Sequence, residues 1–314
     1  MKNYYYCVDI GGTTVKAGII DEDNNILFTT KTNTIVSEDP HYLTKIILNL
    51  IEKLEITSNM KISHSSGLGI GAPGLIDATT GTIKFSGNLK LKEYPLKEMV
   101  EQHVNVPVKV ANDADLATLA ELKFGAGKKY NSFILLTLGT GIGSGLVING
   151  ELYGKNAPYS GEIGHMKVSD RNVRCSCGDY NCFEALASTR ALSRMTKTAM
   201  KNNPSSKMWS KYNLSTVNGK TVFEFKDKDE TAKTVFETFV KNLGTGIVSL
   251  VNVFMPEAII LGGAISNEKE ALTKPVEDFV NDRIYARNVG FKIKIETAKA
   301  TAHAGILGGK CLFD

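Results

Sequence analysis

Apolar and polar positions along the chain follow a plan that occurs twice. Residues 4–21, YYYCVDIGGTTVKAGIID, read as an apolar strand, a Gly-Gly-Thr-Thr turn and a second apolar strand. Residues 131–150, NSFILLTLGTGIGSGLVING, repeat the plan around a Gly-Thr-Gly turn. Further turn signals follow each, at Asp21 to Asn25 and at Asn149-Gly150, with more β-prone residues behind them. Two such hairpins, about 130 residues apart, imply two related α/β halves.

Helical periodicity predicts helices over 40–54 (with a cap at Asp39), 96–103, 113–124 (stopped by Gly125), 190–201, 231–254, 274–285 and 303–312. Short apolar runs predict strands over 67–72, ending in the turn Ala72-Pro73-Gly74, and over 106–111, 258–261 and 291–297. The polar stretch 204–229, with Trp209, Tyr212 and Phe223, reads as an irregular surface insertion. Alternating strands and helices predict an α/β architecture of layered sheets. We expect a small N-terminal domain over 1–112, with the closing helix 303–314 packed on it, and a large domain over 113–302. No low-complexity linker separates them, so the expected ligand cleft lies between tightly joined domains.

Composition narrows the function classes. Of 314 residues, 42% are hydrophobic and 22% charged, as in an ordinary globular protein. The net charge of +4 is spread along the chain, which predicts neither a nucleic-acid nor an anionic-membrane partner. No apolar run approaches the roughly 20 residues that span a bilayer. The N-terminus, MKNYYYCVDIGG, runs into a strand and lacks the pattern of a signal peptide. Five cysteines, an odd number with three clustered, fit a reduced compartment, and a cytoplasmic location is expected. Cys7 and Cys311 read as buried thiols without chemistry.

Turns dense in Gly and Thr let backbone N–H groups converge on an anion. In the first loop, Asp9, Gly11, Gly12, Thr13, Thr14 and Lys16 are the candidates for holding a phosphorylated nucleotide, and Asp9 can hold Mg²⁺ through water. In the second, the candidates are Gly139, Thr140, Gly141 and Gly143. Neither loop has the dinucleotide or Walker spacing: the residue five after Gly139 is Ser144, and five after Gly141 is Leu146. Two phosphate-holding hairpins are the layout of the actin-like/hexokinase (ribonuclease H-like) ATPase fold, in which Gly262 and Gly263 would flank the nucleoside.

The segments DIGGTTVKAGIID, GIGAPGLID, ANDADLATLAE, LTLGTGIGSGLVINGELYG, SGEIGH, CSCGDYNCFE and IILGGAIS, in this order, resemble the ROK family of bacterial sugar kinases and repressors. The resemblance runs from residue 7 to about residue 310. It implies an ATP-dependent kinase whose acceptor is a hexose or acylated amino-hexose, with structural zinc and a homodimer. The first phosphate loop starts at residue 9, which leaves no room for the winged helix of the repressor branch and favours the enzyme.

His165, Cys175, Cys177 and Cys182 have the spacing of one closed Cys₃His zinc site, structural because no ligand position is left for water. A DNA-reading finger would carry basic residues on the following helix, whereas here FEALAST follows Cys182. By the resemblance, Glu162, His165 and Glu184 contact the sugar, with His165 giving one ring nitrogen to zinc and the other to a hydroxyl. The resemblance also assigns Asn112 to a sugar hydroxyl and Asp113 to the catalytic base, and implies acceptor contacts from Gly74 and Asn88. Asn112 and Asp113 also suit a plain helix cap. Asn181 stands where the family's cysteine loop commonly has Gly, and Phe183 where Leu is frequent. The expected reaction is phosphorylation of a sugar 6-hydroxyl, with a glucose-type sugar first. The alternatives are N-acetylmannosamine, fructose or a β-glucoside as acceptor, and, in a different class, a sugar sensor without catalysis.

Overall fold

The computed structural model describes residues 3–37, 39, 41–154, 159–300 and 303–314. The first elements are β1 (Tyr4–Ile10), β2 (Thr14–Asp21), β3 (Ile26–Asn33), α1 (Tyr42–Ser58), β4 (Leu68–Ala72), β5 (Leu75–Asp77), β6 (Thr82–Ser86), β7 (Leu91–Tyr94), α2 (Leu96–Glu101), β8 (Val108–Asn112) and α3 (Asp113–Phe124). They are followed by β9 (Phe133–Leu138), β10 (Ile142–Ile148), the two-residue β11 (Glu151–Leu152), α4 (Phe183–Ala187), α5 (Thr189–Asn202), α6 (Gly219–Phe225) and α7 (Glu230–Phe254). β12 (Ala258–Gly262), α8 (Glu270–Asn281), β13 (Lys294–Thr297) and α9 (Ala304–Cys311) complete the chain.

These elements form two compact units, the first over 1–128, 151–161 and 300–314, the second over 129–150 and 162–299. In the first, β1 pairs antiparallel with β2 and parallel with β4, which pairs parallel with β8. In the second, β9 pairs antiparallel with β10 and parallel with β12, which pairs parallel with β13. The same hairpin followed by the same two parallel strands is the duplication that the two glycine hairpins predict. Each unit has its own core. Val8, Ile10, Val15, Leu43, Ile47 and Ile70 lie in the first, and Leu136, Phe183, Phe239, Leu243, Ile259 and Leu261 in the second.

Residues 113–128 belong to the first unit, whereas the pattern along the chain suggests a boundary at 112/113. The reason is packing: α3 lies along α9, and α9 lies on β1 and β4. That approach needs glycine. A Cβ at Gly308 would stand 2.0 Å from the Leu116 carbonyl oxygen, and one at Gly69 2.2 Å from that of Gly309.

Other elements differ from the sequence pattern. Helix α1 starts at Tyr42 with His41 at the N-cap; Asp39 accepts the His41 N–H at 2.9 Å and pairs with Lys45 at 2.7 Å. Pro40, the expected first residue of that helix, lies outside the described residues. β5, β6 and β7 form a small antiparallel sheet that apolar runs did not reveal. α8 begins at Glu270, ahead of Pro275, because Leu272, Val276 and Val280 make a buried stripe at helical spacing. The stretch 204–229 is not irregular: α6 buries Val222, Phe223 and Phe225, and Trp209 Nε1 donates to the Met200 carbonyl at 3.1 Å. Among the described residues, no helix is long and apolar enough to cross a membrane.

Candidate functional site

In the first unit, Asp9 lies one residue before the end of β1, opposite Lys16 on β2. Burial raises the Asp9 carboxyl above its usual range, and the Lys16 ammonium pulls it back only in part. A Cβ at Gly305, in the first turn of α9, would lie 2.6 Å from Asp9 Oδ1, so glycine there makes room for the carboxylate. The Gly11–Thr14 turn closes through the Gly11 N–H donating to Thr14 O at 3.0 Å. Thr34, just beyond β3, braces it: its hydroxyl donates to Gly11 O at 2.7 Å and its N–H to Thr13 O at 3.0 Å. Nothing lies within 4 Å of a Cβ built at Gly12.

Asn112 and Asp113 stand where β8 passes into α3. Asn112 is the N-cap, its Oδ1 accepting the Ala114 N–H at 2.8 Å while Nδ2 donates to Gly74 O at 2.9 Å. The cap and the expected sugar-contact position are therefore one residue. Asp113 is the first residue of the helix and also accepts from the Ala114 N–H, at 2.9 Å. Gly74 has φ +116, and a Cβ there would meet Phe85 O at 2.3 Å. It sits against the end of β6, two residues before Asn88, which is exposed in the following turn.

In the second unit, the Gly139–Gly143 turn closes with Gly139 N–H donating to Gly141 O at 3.0 Å. The start of α5 is tied to it by the Thr189 hydroxyl on Leu138 O at 3.0 Å. Gly263 has φ +86, and a Cβ there would lie 2.2 Å from Leu138 O, so the Gly262-Gly263 turn and the second loop are neighbours. Glu184, second in α4, reaches the same loop: its Oε2 would be 2.2 Å from a Cβ at Gly141 and lies 3.4 Å from the Ile142 N–H donor. Its Oε1 accepts from the Ser176 hydroxyl at 2.7 Å and stands 3.0 Å from Cys175 Sγ, which donates to it only while the thiol keeps its proton. Glu184 thus joins the glycine loop to the cysteine cluster.

The ligand atoms of His165, Cys175, Cys177 and Cys182 all lie within 4.8 Å of one another. Cys177 Sγ is 3.7 Å from Cys182 Sγ, and His165 Nδ1 is 3.9 Å from Cys175 Sγ. Metal–sulfur bonds of about 2.3 Å in a tetrahedron give an edge of about 3.8 Å. Three soft sulfurs and an imidazole at these separations fit zinc. Nδ1 of His165 faces the cluster and Nε2 faces Glu162, 4.0 Å from its Oε2. Burial raises the Glu162 carboxyl, His165 lowers it and Glu184 adds to the rise. Asn181 has φ +60, the left-handed region, which explains glycine's suitability there; Asn is among the side chains that tolerate it, and its Oδ1 accepts the Val173 N–H at 2.9 Å. Phe183 is fully buried against Gly246 of α7.

Each unit therefore gathers its share of the expected residues: Asp9, Gly11–Lys16, Gly74, Asn112 and Asp113 in the first, and Gly139–Gly143, Gly262, Gly263, Glu162, Glu184 and the cluster in the second. Thr34 in the first unit, and Ser176 and Thr189 in the second, brace these residues although the sequence did not single them out. Ser176 alone had a signal, its place inside CSCG.

The ROK family model matches residues 5–314. The chain belongs to the ROK family. Its relatives include a glucokinase of Halalkalibacterium halodurans, 32% identical over 310 residues that cover 98% of this chain and 93% of the relative. They also include a xylose repressor of Caldicellulosiruptor bescii, 29% identical over 302 residues, 96% of this chain and 75% of the repressor. A ROK family glucokinase from Streptomyces griseus, solved with glucose and AMPPNP, superposes with a TM-score of 0.86 at 30% identity, covering 99% of both chains. The fold is accordingly the two-domain actin-like/hexokinase fold, and the relatives divide between sugar kinases and regulators.

Proposed function

We propose that this protein is an ATP-dependent sugar kinase that transfers the γ-phosphate to the 6-hydroxyl of a hexose, glucose or a close analogue first. The observation that carries the reading is Asp113, a carboxylate at the first position of α3, in a chain that superposes on a glucokinase bound to glucose and AMPPNP. A sugar hydroxyl is a weak nucleophile, so Asp113 orients it and accepts its proton late, while positioning and charge neutralisation carry most of the rate. Glu162, His165 and Glu184 hold ring hydroxyls, since charged acceptors make short, directional bonds. Gly74, Asn88 and Asn112 add polar groups for the sugar. The Gly11–Thr14 and Gly139–Gly143 turns hold phosphates through the backbone N–H groups that their own turn-closing bonds leave over, with Lys16 nearby, and Gly262-Gly263 borders the nucleoside. Asp9, a hard carboxylate, would hold Mg²⁺, which would supply neutralisation of phosphate charge. His165, Cys175, Cys177 and Cys182 would hold zinc, which would fix the segments that carry Glu162 and Glu184. Homodimerisation is part of the family reading, and an average mass from light scattering near twice 34.1 kDa is expected.

The second reading is a sugar-binding regulator, favoured by the xylose repressor relative. ADP release with Mg-ATP and a panel of glucose, mannose, fructose, N-acetylglucosamine, N-acetylmannosamine and cellobiose separates them. The kinase reading expects strong turnover with at least one sugar, glucose first. Sugar binding without ADP release would favour the regulator.

A further inference from the structure

Lys167 is two residues past His165 and belongs to no motif of the family resemblance. Its ammonium has three N–H donors, and the structure gives each an acceptor. Nζ lies 2.6 Å from Asp179 Oδ2, 2.9 Å from the Tyr180 carbonyl and 3.3 Å from Cys182 Sγ. The backbone is held at the same point. Lys167 and Cys182 form an antiparallel bridge, flanked by Val168 N–H on Asn181 O at 3.1 Å and Phe183 N–H on Met166 O at 2.8 Å. The cation is thus fixed against one ligand sulfur.

Charge bookkeeping gives that position a purpose. Three thiolates, one neutral imidazole and a divalent ion leave a net charge of −1 on the cluster. The Lys167 ammonium, shared between Asp179 and the Cys182 thiolate, places positive charge and an N–H donor at that sulfur without cancelling the charge of the whole cluster, and outer partners of this kind hold a metal ligand in place. We infer that Lys167 is an outer partner of the metal cluster, a positioning residue that retains the ion by donating to the Cys182 thiolate, with Asp179 aiming it.

The inference rests on the cluster holding zinc, and the test keeps the two apart. The full chain is loaded with Zn²⁺ alone and its zinc content measured. Release is then timed with a chromophoric chelator. A wild-type protein that takes up no zinc would overturn the metal reading itself. With zinc bound, Lys167→Met should release it about 10- to 100-fold faster than wild type. Lys167→Arg, which keeps a cation and donors, should stay close to wild type. Equal release from wild type and Lys167→Met overturns the inference, as does equal acceleration in the Met and Arg variants, which would mark the residue as a shape-filling staple. Should Lys167→Met fail to fold, Asp179→Asn decides: it loosens the aim of Nζ and should also speed release, and an unchanged rate contradicts the proposal.

Discussion

Asn112 is both a helix cap and a proposed sugar contact. Its Oδ1 caps α3 and its Nδ2 holds the Gly74 carbonyl, so Asn112→Ala removes a cap and a tertiary hydrogen bond together. We expect a loss of about 1–2 kcal/mol in denaturant unfolding, along with weaker sugar binding. Asp113 should behave differently. Asp113→Asn keeps the side chain's size and a cap-like oxygen, so turnover should fall by orders of magnitude while the melting temperature stays near wild type; normal turnover would remove Asp113 from the mechanism. Asp9 gives a pH signature. Its folded-state carboxyl is raised by burial, so the neutral form is the one the fold prefers. Relative stability from this group is full below the ordinary Asp range and is lost as pH rises through the raised value. Asp9→Asn should therefore raise the melting temperature at neutral pH more than at pH 4, while abolishing ATP turnover. An Asp9→Asn protein with no pH-dependent gain would contradict the burial argument.

At the scale of elements, the sequence was most readable where hydrophobic period and turn chemistry agreed. The two glycine hairpins, β4, α3 and β12 fall in or near their expected places because apolar runs end at Gly or at a cap. Long-range packing decided the rest. α8 accepts Pro275 because its buried stripe outweighs one missing hydrogen bond. α6 forms inside a polar stretch because Phe223 and Phe225 face neighbouring helices. α9 was legible as a helix, but its pattern of glycines acquires meaning only against Leu116 and β4. Gly308→Ala, with its Cβ 2.0 Å from the Leu116 carbonyl, should destabilise by about 1–3 kcal/mol through overpacking. A variant as stable as wild type in urea would show that α9 can shift to admit the methyl.

At the scale of the whole molecule, the chain is a duplicated α/β plan whose two units received different chemical equipment. The first has the strand-end acid and the α3 junction; the second has the metal cluster and Glu184. That division was legible as far as the motifs went, since each glycine loop and the Cys₃His spacing stood out in one dimension. The link from Glu184 to both Gly141 and Ser176 was not, because it depends on the loop before α4 folding back over β10. Zinc removal should act through this link. A chelator strong enough to strip the ion should lower the melting temperature and weaken sugar affinity, and re-addition of zinc should restore both. Stripping that leaves sugar affinity untouched would detach the cluster from the acceptor side of the account.

Phosphoryl transfer to a sugar stands or falls with glucose-dependent ADP release by the zinc-loaded protein with Mg-ATP, run beside Asp113→Asn. The wild type should turn over and form the sugar 6-phosphate, and the variant should lose nearly all of that activity. A folded, zinc-loaded wild type that binds a sugar of the panel yet releases no ADP with any of them would contradict it and make the protein a sensor.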